Sequence, residues 1–360
     1  MDARLMKYLK LMLEKSASDL HIKAGHPPMF RIDGELVKAG EEIFSDRDTQ
    51  EIGFSIMNEE QIKRFETQRE MDLAFDLGDV ARFRTNLYWQ MGKVGIAFRL
   101  LPLKIPTMSE CGLPEEIIIE RILNKKKGLI LVTGAMGSGK STSIASMIEW
   151  INQHWRVHVV TIEDPVEYVH RSKMAVIDQR EVGSDTLSFH EALRHILRED
   201  ANVILVGEMR DLETIEAALN IAETGHLVFA TLHTSDAIQT VNRIIDVFPP
   251  HQQEQVRIQL SFVLLAVLSQ NLIPRKEKRG RVLAYEIMLV NNAIRSLIRE
   301  RKTHQAYTVI QTSQQEGMCT MNQSLYRLYI EEEISLENAF LYSTNPDDLK
   351  RLIEKTPSSI

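Results

Sequence analysis

The chain has little of what marks several large protein classes. Two cysteines, Cys111 and Cys319, stand far apart in 360 residues. They exclude a disulfide scaffold and a four-cysteine zinc module, and they fit a reducing compartment. Aromatic residues make up 6% of the chain, and there is no basic excess: 43 Lys and Arg face 50 Asp and Glu, for a net charge of −7. No global positive field therefore draws the chain to nucleic acid. Long apolar runs are missing too. The longest, residues 262–268, is too short to cross a bilayer. The opening MDARLMKYLKLMLEK sets charges within its apolar residues and reads as an amphipathic helix, not a signal peptide. There is no internal repeat and no low-complexity block. At 44% hydrophobic and 26% charged, the sequence has the balance of two or three globular domains, each large enough for a core.

Against that background one stretch stands out: GLILVTGAMGSGKSTSIASMIEW, residues 128–150. An apolar strand runs into a glycine-rich turn and then a helix, with G-x-x-x-x-G-K-S supplied by Gly134, Gly139, Lys140 and Ser141. Glycines let the backbone curl until successive N–H groups converge on phosphate oxygens, and the helix N-terminus adds positive potential. The cradle runs Gly134, Ala135, Met136, Gly137, Ser138, Gly139, Lys140, Ser141 and Thr142. Lys140 can reach the β- and γ-phosphates, and the Ser141 hydroxyl can ligate Mg²⁺. ATP with Mg²⁺ is the expected ligand.

The rest of the chain is organised around this motif. Residues 1–100 read as an α+β domain: an opening helix, strands through DLHIK and MFRIDGELV with a two-residue turn at Asp33-Gly34, and helix around 47–68. The strands MDLAFDL, ARFRTNLYWQ and VGIAFRLL complete that domain. Residues 101–125, with Pro102, Pro106 and Pro114, read as a linker and candidate hinge. Residues 126–285 alternate strand and helix, with apolar runs at 157–162, 203–206 and 227–232, which implies a mostly parallel sheet in an α/β fold. Residues 286–360 are helical and amphipathic, ending in a polar tail.

Three strands of the central region end in polar groups, where open α/β sheets bind ligands. TIEDPVEY offers Glu163 and Asp164, VILVGEMRD offers Glu208, and AETGHLVFATLHT offers His226 and His233. A nucleotide hydrolase needs a carboxylate to polarise attacking water and groups that answer to the γ-phosphate. Either glutamate fits the first role, and each alone also fits a solvated loop. The histidines lack the spacing of metal ligands and fit γ-phosphate or interface sensing, or a hydrogen-bonded rim position. A strand-end Asp would be usual in the second acidic motif. With Gly207-Glu208 in its place, Mg²⁺ falls to Ser141, phosphates and water, leaving Glu208 for catalysis.

These segments together resemble the type IV pilus retraction ATPases, the PilT/PilU group of the secretion ATPase superfamily. ASDLHIKAGHPPMFRIDGEL is similar to the group's N-terminal signature, GAMGSGKS to its P-loop, TIEDPVEYVH to its aspartate box, VILVGEMRDLETIEAAL to its acidic motif and AETGHLVFATLHT to its histidine box. AIRSLIRE, residues 293–300, resembles its helical retraction signature, and with TMNQSLYRLY it leans towards the PilT-like branch. Ala135-Met136 stands where the group usually has Pro-Thr, so Met136 offers no hydroxyl, and Asp200-Ala-Asn replaces Asp-Pro-Asp.

The resemblance implies a PAS-like N-terminal α+β domain followed by a RecA-like P-loop ATPase domain and a helical C-terminal region. It implies a cytoplasmic homohexamer, peripheral at the inner membrane, that hydrolyses ATP. Its implied partners are the inner-membrane platform protein (PilC-like) and a second retraction ATPase, with no nucleic acid and membrane contact only through partners. It also implies that arginines of a neighbouring N-terminal domain complete the site. The corresponding positions are Arg82, Arg84 and Arg99, with Arg84 or Arg99 as the trans-acting residue; on alternating strands they also read as a solvent-facing edge.

Other readings separate cleanly. Extension and secretion ATPases of the superfamily carry a four-cysteine zinc module that two isolated cysteines cannot build. A nucleic-acid translocase would use the basic loop RKEKRGR, 275–281, which has no interleaved aromatics and reads as a solvated turn. A regulator that binds ATP without turning it over would release no phosphate.

Overall fold

The computed structural model describes residues 1–354 other than 33, 79, 102, 103, 278 and 279, so Asp33 of the expected turn, Pro102 of the expected linker, two basic-loop residues and the polar tail lie outside the described residues. The chain divides into two compact units, one of residues 1–104 with 165–169, the other of residues 105–164 with 170–360.

The first unit is a six-stranded antiparallel sheet carrying three helices. Helix α1 (Ala3–Glu14) buries Leu5, Tyr8, Leu9 and Met12, a stripe at helical spacing, and Asp2 caps it by accepting the Arg4 N–H. Strands β1 (Asp19–Lys23), β2 (Met29–Ile32) and β3 (Glu35–Lys38) follow. Ile32 pairs with Glu35, and Gly34 takes the positive φ of 89° that the tight connection requires. The helical stretch expected around 47–68 is two helices, α2 (Asp46–Phe54) and α3 (Glu59–Gln68). Each is opened by a capping box, Ser45 with Asp48 and Asn58 with Gln61, and the second box stops one helix from running into the next. Strands β4 (Glu70–Leu77), β5 (Ala81–Gln90) and β6 (Lys93–Leu101) complete a sheet of order β3-β2-β1-β6-β5-β4. Along β5 the side chains alternate, with Ala81, Phe83, Thr85 and Leu87 buried and Arg82, Arg84, Asn86 and Tyr88 half-buried.

The second unit starts within the stretch expected as a linker. There Met108, Leu113, Ile118 and Ile122 are buried in its core, because helix α4 (Glu115–Ile117) and the π-helical turn Ile118–Leu123 present an apolar side. Then come β7 (Gly128–Thr133), α5 (Lys140–His154), β8 (His158–Glu163), β9 (Val176–Glu181), α6 (Phe189–Ile196), β10 (Val203–Val206), α7 (Leu212–Glu223), β11 (Leu227–Leu232), α8 (Ala237–Asp246), α9 (Gln253–Val263), β12 (Leu264–Pro274) and β13 (Arg281–Leu289). The sheet order is β13-β12-β7-β11-β10-β8-β9, parallel throughout except for β13. Strands β7, β10 and β11 are buried at every position, as expected for strands covered on both faces. The apolar run 262–268 is the end of α9 leading into β12. Among the described residues no helix is long and apolar enough to cross a membrane.

Beyond β13 lie α10 (Asn292–Arg299), which contains most of AIRSLIRE, α11 (Ala306–Thr312), α12 (Met321–Ile330), α13 (Leu336–Leu341) and α14 (Pro346–Glu354). Ile273 and Ala284 of the last two strands pack with Leu325 and Leu328 of α12, so the C-terminal helices are fastened to the sheet edge. The boundary expected at residue 285 falls inside β13.

One acid is buried here. Glu286 on β13 is 2% exposed, and no cation among the described residues pairs with it. Burial pushes its carboxyl up to about 7, the Ala237 and Met321 N–H groups pull it down, and the like charge of Asp236 pushes it up again. Tyr307 on α11 and Cys319, before α12, also feel its charge. The folded value is raised above the unfolded one, so this group's stabilisation is complete below the unfolded pKa and is lost as pH rises through about 7. Glu286→Gln abolishes that dependence. The stability of the variant relative to wild type is expected to grow by about 3 kcal/mol between pH 4 and pH 8, read from denaturant midpoints. A gap independent of pH would show that Glu286 does not titrate in the fold.

Candidate active site

The P-loop joins the buried strand β7 to α5 in the second unit. Gly134, Gly137 and Gly139 all have positive φ, at 143°, 75° and 91°. A Cβ on Gly134 would lie 2.4 Å from the Gln270 carbonyl oxygen, so β12 packs directly against the turn. At Gly137 a Cβ would meet nothing within 4 Å, which leaves that face of the loop open to a ligand. Gly139 caps α5 in the left-handed conformation, and Ser143 N donates to its carbonyl at 2.9 Å. Ser141 is exposed on the first turn, and its hydroxyl has no protein hydrogen-bond partner among the described residues, as a metal-ligating hydroxyl there requires. Thr142 is half-buried, Ser138 is buried, Ala135 is exposed and Met136 is 90% exposed.

Lys140 opens α5 and turns back over the loop. Its Nζ donates to Gly134 O at 2.8 Å and Ala135 O at 3.0 Å, and it lies 3.4 Å from Nδ1 of His233. His233 follows β11, the strand next to β7, and its Nε2 is 3.2 Å from Glu208 Oε1. An ammonium only donates, so Nδ1 accepts from Lys140 and the Nε2–H donates to Glu208. Glu208 in turn takes a two-pronged pair with Arg210, Nε to Oε1 at 2.7 Å and Nη2 to Oε2 at 2.8 Å. Lys140, His233, Glu208 and Arg210 thus form one hydrogen-bonded line beside the cradle. Burial raises the Glu208 carboxyl, but Arg210 and His233 outweigh it and hold the group below the usual carboxylate range.

Gly207 explains how a second carboxylate comes close. A Cβ there would meet the Ile162 carbonyl at 3.0 Å and Glu163 Cα at 3.2 Å, so glycine lets the chain leaving β10 press against the end of β8. Gly207 N donates to Ile162 O at 2.8 Å, and the Thr231 hydroxyl of β11 donates to Gly207 O. Glu163 Oε1 accepts from the Thr161 hydroxyl at 2.6 Å and from Gln179 at 3.2 Å. A pocket of about 400 Å³ opens on the Glu208 side, lined by Asp164, Glu208, Arg210, Asp211 and His190.

His226 is not brought to this line. β11 and β7 are parallel, with Leu227 opposite Gly128 and Leu232 opposite Thr133. His226 therefore sits at the far end of the strand, about 20 Å from the P-loop end at the rise of an extended chain. Its Nδ1 lies 3.1 Å from the Ile221 carbonyl and 3.1 Å from the Thr224 hydroxyl, where it finishes α7. His226, expected to serve γ-phosphate or interface sensing, is thus held away from the cradle of its own subunit, because only the C-terminal strand ends face the loop.

Arg84 and Arg99 lie in the first unit, directly opposite each other on β5 and β6. Arg99 Nε donates to Asp19 at 2.9 Å, and Arg82 makes a two-pronged pair with Asp76 at 2.9 Å. Arg84 has no ion pair among the described residues.

The sequence reading missed a second pocket, of about 350 Å³, beside Gly139, Thr142 and Ser143. Pro106, Cys111, Leu272 and Leu283 give it apolar walls, and Arg275 and Arg281 give it cations. Arg281 Nη1 lies 3.4 Å from Gly137 O, and Arg275 pairs with Glu333. The loop RKEKRGR reads as a solvated turn in sequence, and its end residues reach the cradle only because β12, which it joins to β13, pairs with the P-loop strand β7.

A P-loop at a parallel strand end with a lysine–histidine–carboxylate line defines a nucleotide hydrolase. Residues 2–340 match the family model described as Type II/IV secretion system protein. The chain belongs to that family of secretion ATPases. It is 47% identical to the type IV pilus retraction ATPase PilT of Pseudomonas aeruginosa over 335 residues, 93% of this chain and 96% of that protein. It is 38% identical to the type IV pilus ATPase PilU of the same organism over 348 residues, 97% of this chain and 91% of that protein. A crystal structure of the pilus retraction motor PilT with bound ADP superposes with a TM-score of 0.90 at 49% identity, covering 96% of this chain and 99% of that one. The likeness to the PilT-like retraction ATPases seen in the motifs thus extends over both units.

Proposed function

We propose that this protein is the ATP-hydrolysing motor of type IV pilus retraction, working as a homohexamer at the inner face of the membrane. The line Lys140–His233–Glu208–Arg210 beside the P-loop is the observation that carries the hydrolytic reading. The backbone from Gly134 to Thr142 cradles the phosphates, and the pocket between Pro106 and Leu283 is the right size for a nucleoside. Ser141 would hold Mg²⁺, whose charge offsets that of the phosphates. Lys140 exchanges the Gly134 and Ala135 carbonyls for phosphate oxygens. Glu208, or Glu163 on the adjoining strand, orients and deprotonates the attacking water.

His233 touches both Lys140 and Glu208, so it registers what the lysine binds and what the carboxylate does. Arg84 of a neighbouring copy is the better candidate to act in trans, because Arg99 is engaged by Asp19. The motor acts on the pilus through a membrane-embedded platform protein, and a PilU-like ATPase is a second partner.

Deleting the gene and restoring it on a plasmid tests the reading. Heavily piliated cells that no longer twitch are expected, whereas cells without pili would reverse the assignment to extension. His233→Ala is expected to lower turnover roughly tenfold or more, as loss of a charge-coupled hydrogen-bonding group does. ADP binding, followed by fluorescence titration, should change far less. Equal loss of both would make His233 a structural residue.

A further inference from the structure

The buried Glu286 joins two helices that the P-loop chemistry does not itself touch. Its Oε1 accepts the N–H of Ala237 at 2.8 Å, and its strand neighbours Tyr285 and Ile287 are hydrogen-bonded to Ser324 and Cys319 at the start of α12. Ala237 is the first residue of α8, which leaves its first N–H groups without an internal partner and carries positive potential at that end. The carboxylate therefore serves the N-terminus of α8 from a strand that is itself fastened to α12.

What lies on either side of it gives that arrangement direction. α8 begins four residues after His233, and the intervening loop is laced to the helix. The Thr234 and Thr240 hydroxyls lie 2.7 Å apart, Thr240 donates to Asp236 O at 2.7 Å, and Asp236 caps the helix by accepting the Gln239 N–H at 2.8 Å. On the other side β13 is lashed to the start of α12. Ile287 and Cys319 exchange backbone hydrogen bonds of 2.8 and 3.1 Å, and Tyr285 N donates to the Ser324 hydroxyl at 3.1 Å. α12 is the TMNQSLYRLY segment, for which the P-loop chemistry assigns no task.

We propose that Glu286 is a positioning residue that ties the His233 loop to α12, so that a change at the phosphate reaches the C-terminal helices through this one carboxylate. The inference rests on the reading of His233 as the residue that answers to the γ-phosphate. A displacement of His233 shifts the first turn of α8, and the Ala237 N–H moves with it. A buried side chain bonded to α8, on a strand hydrogen-bonded to the start of α12, cannot follow one helix without pulling on the other.

Amide hydrogen exchange with and without a non-hydrolysable ATP analogue tests the tie in the full chain. In wild type the analogue should change exchange in the first turns of both α8 and α12, by roughly threefold or more, the factor that a fraction of a kcal/mol of altered local opening produces. In Glu286→Leu, which removes the acceptor of the Ala237 N–H, the change in α8 should remain and that in α12 should vanish, with KM for ATP within about twofold of wild type, since Glu286 touches no cradle residue. An α12 response of wild-type size in the variant, or none in wild type, overturns the proposal. If Glu286→Leu fails to fold, Thr234→Val, which cuts the lacing of the loop to α8, is the second variant. It should weaken the response of both helices, and an undiminished α12 response would overturn the tie. His233→Ala separates the two readings. Intact responses in both helices there would remove the sensing role of His233, while the Glu286→Leu comparison still decides whether α8 and α12 are coupled.

Discussion

Replacing Lys140 with alanine is expected to lower ATP turnover by at least ~10²–10³-fold, the loss that follows removal of one pre-aimed donor from developing charge. The fold should stand. Lys140 is half-buried and the Ala135 carbonyl it holds faces solvent, so water replaces the ammonium there. The part-buried Gly134 carbonyl loses a donor at a cost of about 1–3 kcal/mol, too little to unfold a domain of this size. What is lost is specific. The ammonium sits 3.4 Å from His233 Nδ1 and about a hydrogen-bond length from two loop carbonyls, so it is already held at the mouth of the cradle. Without it the phosphate charge goes uncompensated and His233 loses the donor that fixes its tautomer, so the neighbouring Glu208 hydrogen bond loosens as well. Phosphate release by the purified variant, beside its melting curve, measures both halves of the prediction. Wild-type turnover in a folded Lys140→Ala protein would remove the P-loop from the reaction.

How far the site could be read in advance followed the range of the interactions involved. The cradle is local: glycines of positive φ, a lysine at the first helical position and a preceding apolar strand are all set within a dozen residues. The strand-end glutamates were legible for a similar reason, since β8 and β10 announce themselves as apolar runs and their polar ends follow. The two histidines differ by strand polarity alone. His226 and His233 flank one strand, and only the parallel register of β11 with β7 tells which end meets the loop. Arg281 was hidden because its place depends on β12 and β13 forming a hairpin beside the P-loop strand. A run of residues near 262–268 gives no sign of that pairing. Glu286 was hidden more deeply. An acid in the strand RVLAYEIML reads as an outward-facing residue, and only the N-terminus of α8 meeting it in the fold lets it stay inside.

The same dependence on neighbours decides between the two carboxylates. Glu208→Gln is expected to lower kcat by ~10²–10⁴-fold, the span over which a positioned general base contributes, with little change in KM. The substitution is close to isosteric. The glutamine oxygen can take the Oε1 position, where Arg210 Nε and His233 Nε2 both donate, while its amide replaces the oxygen that accepts from Arg210 Nη2, so that one bond of the pair is lost. The contact with His233 therefore survives and the basicity does not. The pH profile carries the sign. Arg210 and His233 hold the Glu208 carboxyl below the usual carboxylate range despite its burial. It is thus ionised across the neutral range, and its loss of function on acidification begins only as pH falls through that lowered value. Stability behaves alike: the contribution of a depressed carboxylate is present above the unfolded pKa and disappears as pH falls. Glu163, by contrast, accepts from the Thr161 and Gln179 side chains at the end of β8. Glu163→Gln measured beside Glu208→Gln separates them. A larger kcat loss in Glu208→Gln assigns the base to the residue that shares its oxygen with His233, and the reverse order would move it to the end of β8. In that event Arg210 would be the clamp that keeps Glu208 as a permanent anion, holding His233 in the tautomer that accepts from Lys140.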